Sequence, residues 1–100
     1  MEISNFKMHR RAVWAFRELD ADEQAQVRAR LALFSEIPLA QWPPALVKRL
    51  PGEEPIYLLR INESLRAFIR AAEGQQPEVL DFAAQAWLDF LAKADAGAGK

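Results

Sequence analysis

The run VKRLPGEEPIYLLRINESLRAFIRAA, residues 47–72, holds two β-type stretches, a turn between them and most of the closely spaced basic residues of the chain. Residues 47–50 form a short apolar and basic strand candidate. Pro51-Gly52-Glu53-Glu54-Pro55 ends it, because proline and glycine break strands and favour turns. Residues 56–61 then alternate, with Tyr57, Leu59 and Ile61 on one face and Ile56, Leu58 and Arg60 on the other. Asn62-Glu63-Ser64 reads as a hairpin turn, since Asn tolerates positive φ and Asn and Ser side chains bond nearby backbone. Residues 65–72 return, with Leu65, Ala67 and Ile69 on one face and Arg66, Phe68 and Arg70 on the other.

A three-residue loop sets Ile61 against Leu65 and Arg60 against Arg66, so two guanidinium groups stand opposite each other on one face. Like charges directly opposed destabilise a ladder. Such a pair is tolerated when each Arg has a carboxylate nearby, when both reach water, or when the two share an anion such as phosphate, which Arg binds bidentately.

Length and composition narrow the class. One hundred residues make a single domain large enough to bury a core, and 51% hydrophobic content excludes a disordered chain. There is no cysteine, hence no disulfide and no thiolate chemistry, as suits a reducing cytoplasm. MEISNFKMHRR has no apolar stretch long enough for a signal peptide, and no 18-residue apolar run occurs, so a cytoplasmic location without membrane contact is expected. With a formal net charge of −1, any anion-binding surface must be local. Lys48, Arg49, Arg60, Arg66 and Arg70 outnumber Glu53, Glu54 and Glu63 over residues 48–70, whereas residues 71–100 are acidic. The basic surface therefore lies on the hairpin.

Working outward, residues 2–6 suit a short strand with Ile3 buried, and residues 8–19 a helix with Ala12, Val13, Phe16 and Leu19 inward. Trp14 is expected to pack at the edge of the core. Asp20 with Glu23 makes a capping box for a second helix over residues 21–35, with Val27, Leu31 and Phe34 buried behind Gln24, and Arg28 and Arg30 toward solvent. So short a link makes the two helices antiparallel neighbours. Ile37-Pro38 and Trp42-Pro43-Pro44 form a stiff connector. Beyond residues 73–77, a loop, residues 78–84 read as the last strand, with Val79, Asp81 and Ala83 on one face and Leu80, Phe82 and Ala84 on the other. Residues 85–93 form a short helix carrying Trp87, Leu88, Phe90 and Leu91. Residues 94–100, ADAGAGK, have nothing to bury and are read as a disordered tail after a domain over residues 1–93.

The order of elements, LVKRLPG at residues 46–52 and IYLLRINESLRAFIR at residues 56–70, preceded by a helical pair that ends in Ile37-Pro38, resembles the RelE/ParE superfamily of small bacterial toxins. The resemblance implies an α+β fold in which an N-terminal strand and a helical hairpin pack on a twisted antiparallel sheet, with a short C-terminal helix. It also implies a type II toxin–antitoxin system, no cofactor, and a cognate antitoxin peptide as partner. RelE-like members cut mRNA on the ribosome, using Lys and Arg to stabilise charge on the scissile phosphate during attack by the ribose 2′-OH; ParE-like members inhibit DNA gyrase without nuclease action. The matching positions here are Lys48 and Arg49 on one strand and Arg60 on the next, with Arg66 following. Arg60 is the foremost candidate.

Other residues bear on the chemistry. DFAAQAWLDF near the C-terminal end has no Arg, Tyr or His, so no general acid or base is visible there. Tyr57 alternates to the face opposite Arg60. His9, the one histidine, is expected in solvent beside Arg10 and Arg11. No Cys/His cluster, Gly-rich phosphate loop or HExxH helix is present. The choices left by the sequence are a ribosome-dependent mRNA endonuclease, a gyrase-binding toxin, and a degenerate member that only binds protein.

Overall fold

A computed structural model describes residues 1–98, with side chains described through Lys93. The hairpin forms one side of the sheet and supplies one of its two central strands. β3 (Val47–Arg49) pairs antiparallel with β4 (Ile56–Arg60), and β4 with β5 (Leu65–Arg70), in a register that sets Leu59 against Ala67 and Arg60 against Arg66. Asn62 fixes that register locally. Its Oδ1 accepts from the Ser64 and Leu65 backbone N–H groups, both at 2.8 Å, so the side chain closes the turn.

The remaining strands extend the sheet on the far side of β5. β6 (Glu78–Ala84) pairs antiparallel with β5, and the strand order is β1-β2-β6-β5-β4-β3. Residues 2–6 are not one strand. β1 (Glu2–Ile3) folds back on β2 (Phe6–Met8) through Ser4 and Asn5, whose φ values of 49° and 69° are the paired left-handed angles of a two-residue hairpin turn. β2 then runs parallel to β6, with Lys7 opposite Glu78 and Met8 opposite Val79, so the sheet is mixed and not purely antiparallel.

One face of the sheet is covered by α1 (Arg10–Glu18) and α2 (Ala21–Ser35). Met8 belongs to β2, and α1 begins two residues later because His9 is its N-cap, its Nδ1 accepting from Arg11 N–H at 3.1 Å. Asp20 caps α2 as the sequence leads one to expect, accepting from Glu23 N–H at 2.8 Å. Gln24 ties the helices together by donating to the carbonyls of Phe16 and Leu19. Ala12 and Phe16 from α1 and Val27, Leu31 and Phe34 from α2 meet Leu59, Ala67, Ile69 and Val79 of the sheet in the buried core. Trp42 links the layers: its Nε1 donates to Ile37 O at 3.0 Å, and its ring packs against Phe6, Phe34 and Tyr57. It arrives there through a 3₁₀ turn over Leu39–Gln41 inside the proline-rich connector.

Three side chains stand elsewhere than their spacing suggests. Trp14 is 66% exposed instead of lining the core edge. Arg30 is half-buried and donates to Ile61 O, unlike Arg28, which stays exposed over the Phe16 ring. Phe82 lies with Val79 in the core because a bulge between Phe68 and Ile69 of β5 leaves Leu80 of β6 without an opposite residue. One extra residue reverses the alternation of everything beyond it.

α3 spans Gln85–Ala98, starting where expected and running past Lys93. Of the expected tail, residues 99 and 100 lie outside those described. Among the described residues, no helix is long and apolar enough to cross a membrane. The architecture is α+β, with the helical hairpin on one face of the sheet.

Candidate functional site

The sheet face away from the helical hairpin is built in rows. The register places Lys48, Leu58, Phe68 and Asp81 across one row, and Arg60, Arg66 and Ala83 across the next. Ile56 and Arg70 start a third row toward the opposite end. The result is an apolar centre of Leu58 and Phe68, both half-buried, flanked by cations.

Arg60 and Arg66 stand directly opposed on β4 and β5. Arg66 is held in place, its Nη1 donating to the carbonyls of Asn62 and Leu65. Burial is the main reason its guanidinium sits below the ordinary arginine value; the like charge of Arg60 pushes the same way, and Asp89 of α3 opposes both. Arg60 is half-buried and, among the described residues, has no ion pair and no side-chain hydrogen bond. The only carboxylates that pair with an arginine among the described residues are Glu54 and Glu78, and both serve Arg70, at 3.4 and 3.3 Å. Of the conditions that reconcile two opposed arginines, a bonded carboxylate is therefore not met at Arg60.

The four residues singled out from the sequence do not all share this face. Lys48, Arg60 and Arg66 do. Arg49 pairs with Tyr57 in the ladder and so lies on the helix side, with its guanidinium carbon 5.8 Å from the Tyr57 ring centre. Its Nη1 donates to Leu50 O. Alternation along β3 sends adjacent Lys48 and Arg49 to opposite faces.

The face contributes cations and no aromatic hydroxyl or imidazole beside them. Tyr57 lies on the helix side against Trp42, with ring centres 5.8 Å apart. His9 is exposed, as expected, and lines a hollow of about 600 Å³ with Arg11, Phe68, Arg70 and Asp81, adjoining the apolar centre of the face on the side of the Ile56 and Arg70 row. Chemically, three cations set around an apolar patch, one of them anchored, can bind a phosphodiester and stabilise charge that develops on it. Neither the tyrosine nor the histidine of the chain stands in the row of Arg60 and Arg66; carboxylates on this side include Asp81, in the row of Lys48, and Asp89, whose charge Arg66 feels.

Two participants escape a reading by alternation. Asp81 takes its place opposite Phe68 only through the bulge, and the signal for that is the spacing of Val79 and Phe82, two apolar residues three apart that an unbroken strand cannot bury together. Asp89 reaches the electrostatic field of Arg66 from α3, a tertiary relation with no local sequence mark. Among the described residues no group of three His, Asp or Glu side chains is placed to hold a metal ion. No family model, curated protein or solved structure matches the chain.

Proposed function

We propose that the chain is the toxin of a bacterial type II toxin–antitoxin pair of the RelE/ParE kind, acting in the cytoplasm, and that its open sheet face binds the phosphodiester backbone of mRNA on the ribosome. The observation that carries this reading is the Arg60–Arg66 opposition, with no carboxylate bonded to Arg60 among the described residues. Lys48 in the neighbouring row adds a third cation at a fixed position. In cleavage, the 2′-OH would bond to phosphorus as the P–O5′ bond breaks, its proton passing to water and the leaving 5′ oxygen taking one from water, while Arg60 and Lys48 stabilise the charge gained by the phosphate and Arg66, anchored to the turn, binds a non-bridging oxygen. The same arginines give a neutralising antitoxin a surface for acidic side chains.

A second reading has an observation of its own. With Tyr57 on the helix side and His9 in the hollow beside Arg70, the row of Arg60 and Arg66 holds neither the tyrosine nor the histidine of the chain, which favours binding without catalysis: a ParE-like action on DNA gyrase, or protein binding alone.

Induced expression in a bacterial host, wild type beside Arg60→Ala, separates these. Incorporation of labelled amino acids and of thymidine is followed together with growth. Arrest of protein synthesis that Arg60→Ala relieves supports RNA cleavage; arrest of DNA synthesis moves the target to gyrase. Normal growth with folded protein in the cell leaves protein binding.

A further inference from the structure

Two hollows open on the sheet face away from the helical hairpin, and Phe68 and Asp81 line both. The larger is the one that His9 lines. The smaller, of about 450 Å³, lies where β6 gives way to α3, with Asp81, Ala83 and Ala84 along β6, Phe68 of β5 and Trp87 of α3 around it. Trp87 is 54% exposed, so its indole is open to a ligand and not spent on the core. Ala83 stands opposite Arg66, and Asp81 stands opposite Phe68 in the neighbouring row. Residues two apart on a strand are about 7 Å apart along it, a span that lets one nucleotide rest its phosphate on Arg66 while its base enters the hollow.

Asp81 has no place on a surface that only holds phosphate. Its charge repels the phosphodiester that Lys48, in its own row, and Arg60 and Arg66, in the next, attract. It is half-buried and, among the described residues, forms no salt bridge. Its Oδ1 accepts from Phe82 N–H at 2.8 Å, which fixes the carboxylate and uses one of its roughly four acceptor positions. What remains is an acceptor-only group beside two aromatic rings and the small side chains of Ala83 and Ala84. Such a site fits a flat ligand with N–H donors on its edge. Bases of single-stranded RNA meet proteins in this way, stacked on aromatic rings with their Watson–Crick edges hydrogen-bonded.

We infer that the smaller hollow is a base-reading subsite selective for guanine: the base stacks against Trp87 and Phe68 and turns its N1–H and N2–H groups to the Asp81 carboxylate. Guanine is the base whose Watson–Crick edge sets two N–H donors side by side. Adenine and cytosine offer an amino group beside a ring-nitrogen acceptor, and uracil an N–H between two carbonyls. Each of those acceptors would face the carboxylate with no proton between them, and groups left unpaired in this way are what discriminates against the wrong ligand. The inference rests on the phosphodiester-binding reading of the same face and deepens it by naming the base next to the phosphate at Arg66.

The test is fluorescence anisotropy of the full chain with labelled oligoribonucleotides of one length, each a uridine run whose central residue is guanosine, inosine, adenosine or uridine. Inosine keeps N1–H and lacks the N2 amine, so it isolates the second bond. The guanosine strand should bind about tenfold more tightly than the adenosine and uridine strands, with inosine between them. Asp81→Asn, whose amide oxygen can still accept from Phe82 N–H, should erase the preference without weakening the uridine strand. Ala83→Leu, which fills the hollow, should also erase it and serves where Asp81→Asn fails to fold. Trp87→Ala, at an exposed position, should weaken the guanosine strand at least about fivefold. Equal binding of all four strands overturns the guanine subsite and leaves the phosphodiester reading standing; no binding of any strand by folded protein removes both. A preference that survives Asp81→Asn and Ala83→Leu, or guanosine binding indifferent to Trp87→Ala, would also overturn the inference.

Discussion

Arg60 and Arg66 hold like charges opposite each other in the free protein, an arrangement that destabilises a ladder. Replacing one should therefore help folding and harm binding. Arg60→Gln is expected to raise Tm by about 1–5 °C while weakening affinity for a single-stranded oligoribonucleotide; calorimetry and fluorescence anisotropy on the same samples check it, and a lower Tm would place a hidden stabilising partner at Arg60. The sign for Arg66 is consistent. Its depressed value means the fold penalises the charged form, so the penalty is present in full at neutral pH and an anion bound there relieves it. Lys48 and Arg49, adjacent in sequence, are expected to separate in the same assay. Lys48→Ala should lower oligonucleotide affinity several-fold, whereas Arg49→Ala, on the helix side, should leave it unchanged; equal losses would show that the nucleic acid wraps around the β3 edge.

Among the elements, the helical pair was the most legible, because capping chemistry is local. Asp20 and Glu23 announce the start of α2 three residues apart, and the bond between them is present. Asp20→Ala should cost about 1 kcal/mol, read as a fall in Tm of about 4–8 °C; no change would mean that packing alone sets the start of the helix. The β4–β5 hairpin was equally plain, down to the opposed arginines, because Asn62 writes its turn into the sequence. β1 and β2 were not. Two- and three-residue strands leave no periodicity to count, and a Ser-Asn turn looks like any polar pair until both residues adopt positive φ. β6 was placed correctly along the chain but its faces were not, since a bulge depends on the partner strand. For the candidate site, alternation opposed Arg60 to Arg66, whereas Lys48 and Arg49 came from the resemblance, and taking them together ignored the alternation that sends them to opposite faces of β3.

For the molecule as a whole, the uneven distribution of charge matters more than its sum. A chain with a formal charge of −1 has no long-range pull on nucleic acid, so affinity must come from the few cations of the open face. With Lys48, Arg60 and Arg66 each neutralising one phosphate, log K should fall with log salt at a slope of about −2 for a single strand. Lys48→Ala combined with Arg60→Ala should flatten that slope to about −0.7. A wild-type slope near zero, measured by anisotropy across a salt series, would remove the phosphate-binding role and leave the face as a protein-binding surface.

The parallel pairing of β2 with β6 also sets an order in time. Each hairpin closes over a short loop, but β2 can find β6 only after the helical pair and three intervening strands have been laid down between them. Such distant pairings slow folding relative to local ones, so this seam is expected to close late. Until it does, the edge of β6 presents unpaired backbone to any other strand it meets. The seam joining Lys7 and Met8 to Glu78 and Val79 thus decides how long a newly made molecule remains open to pairing with another copy of itself.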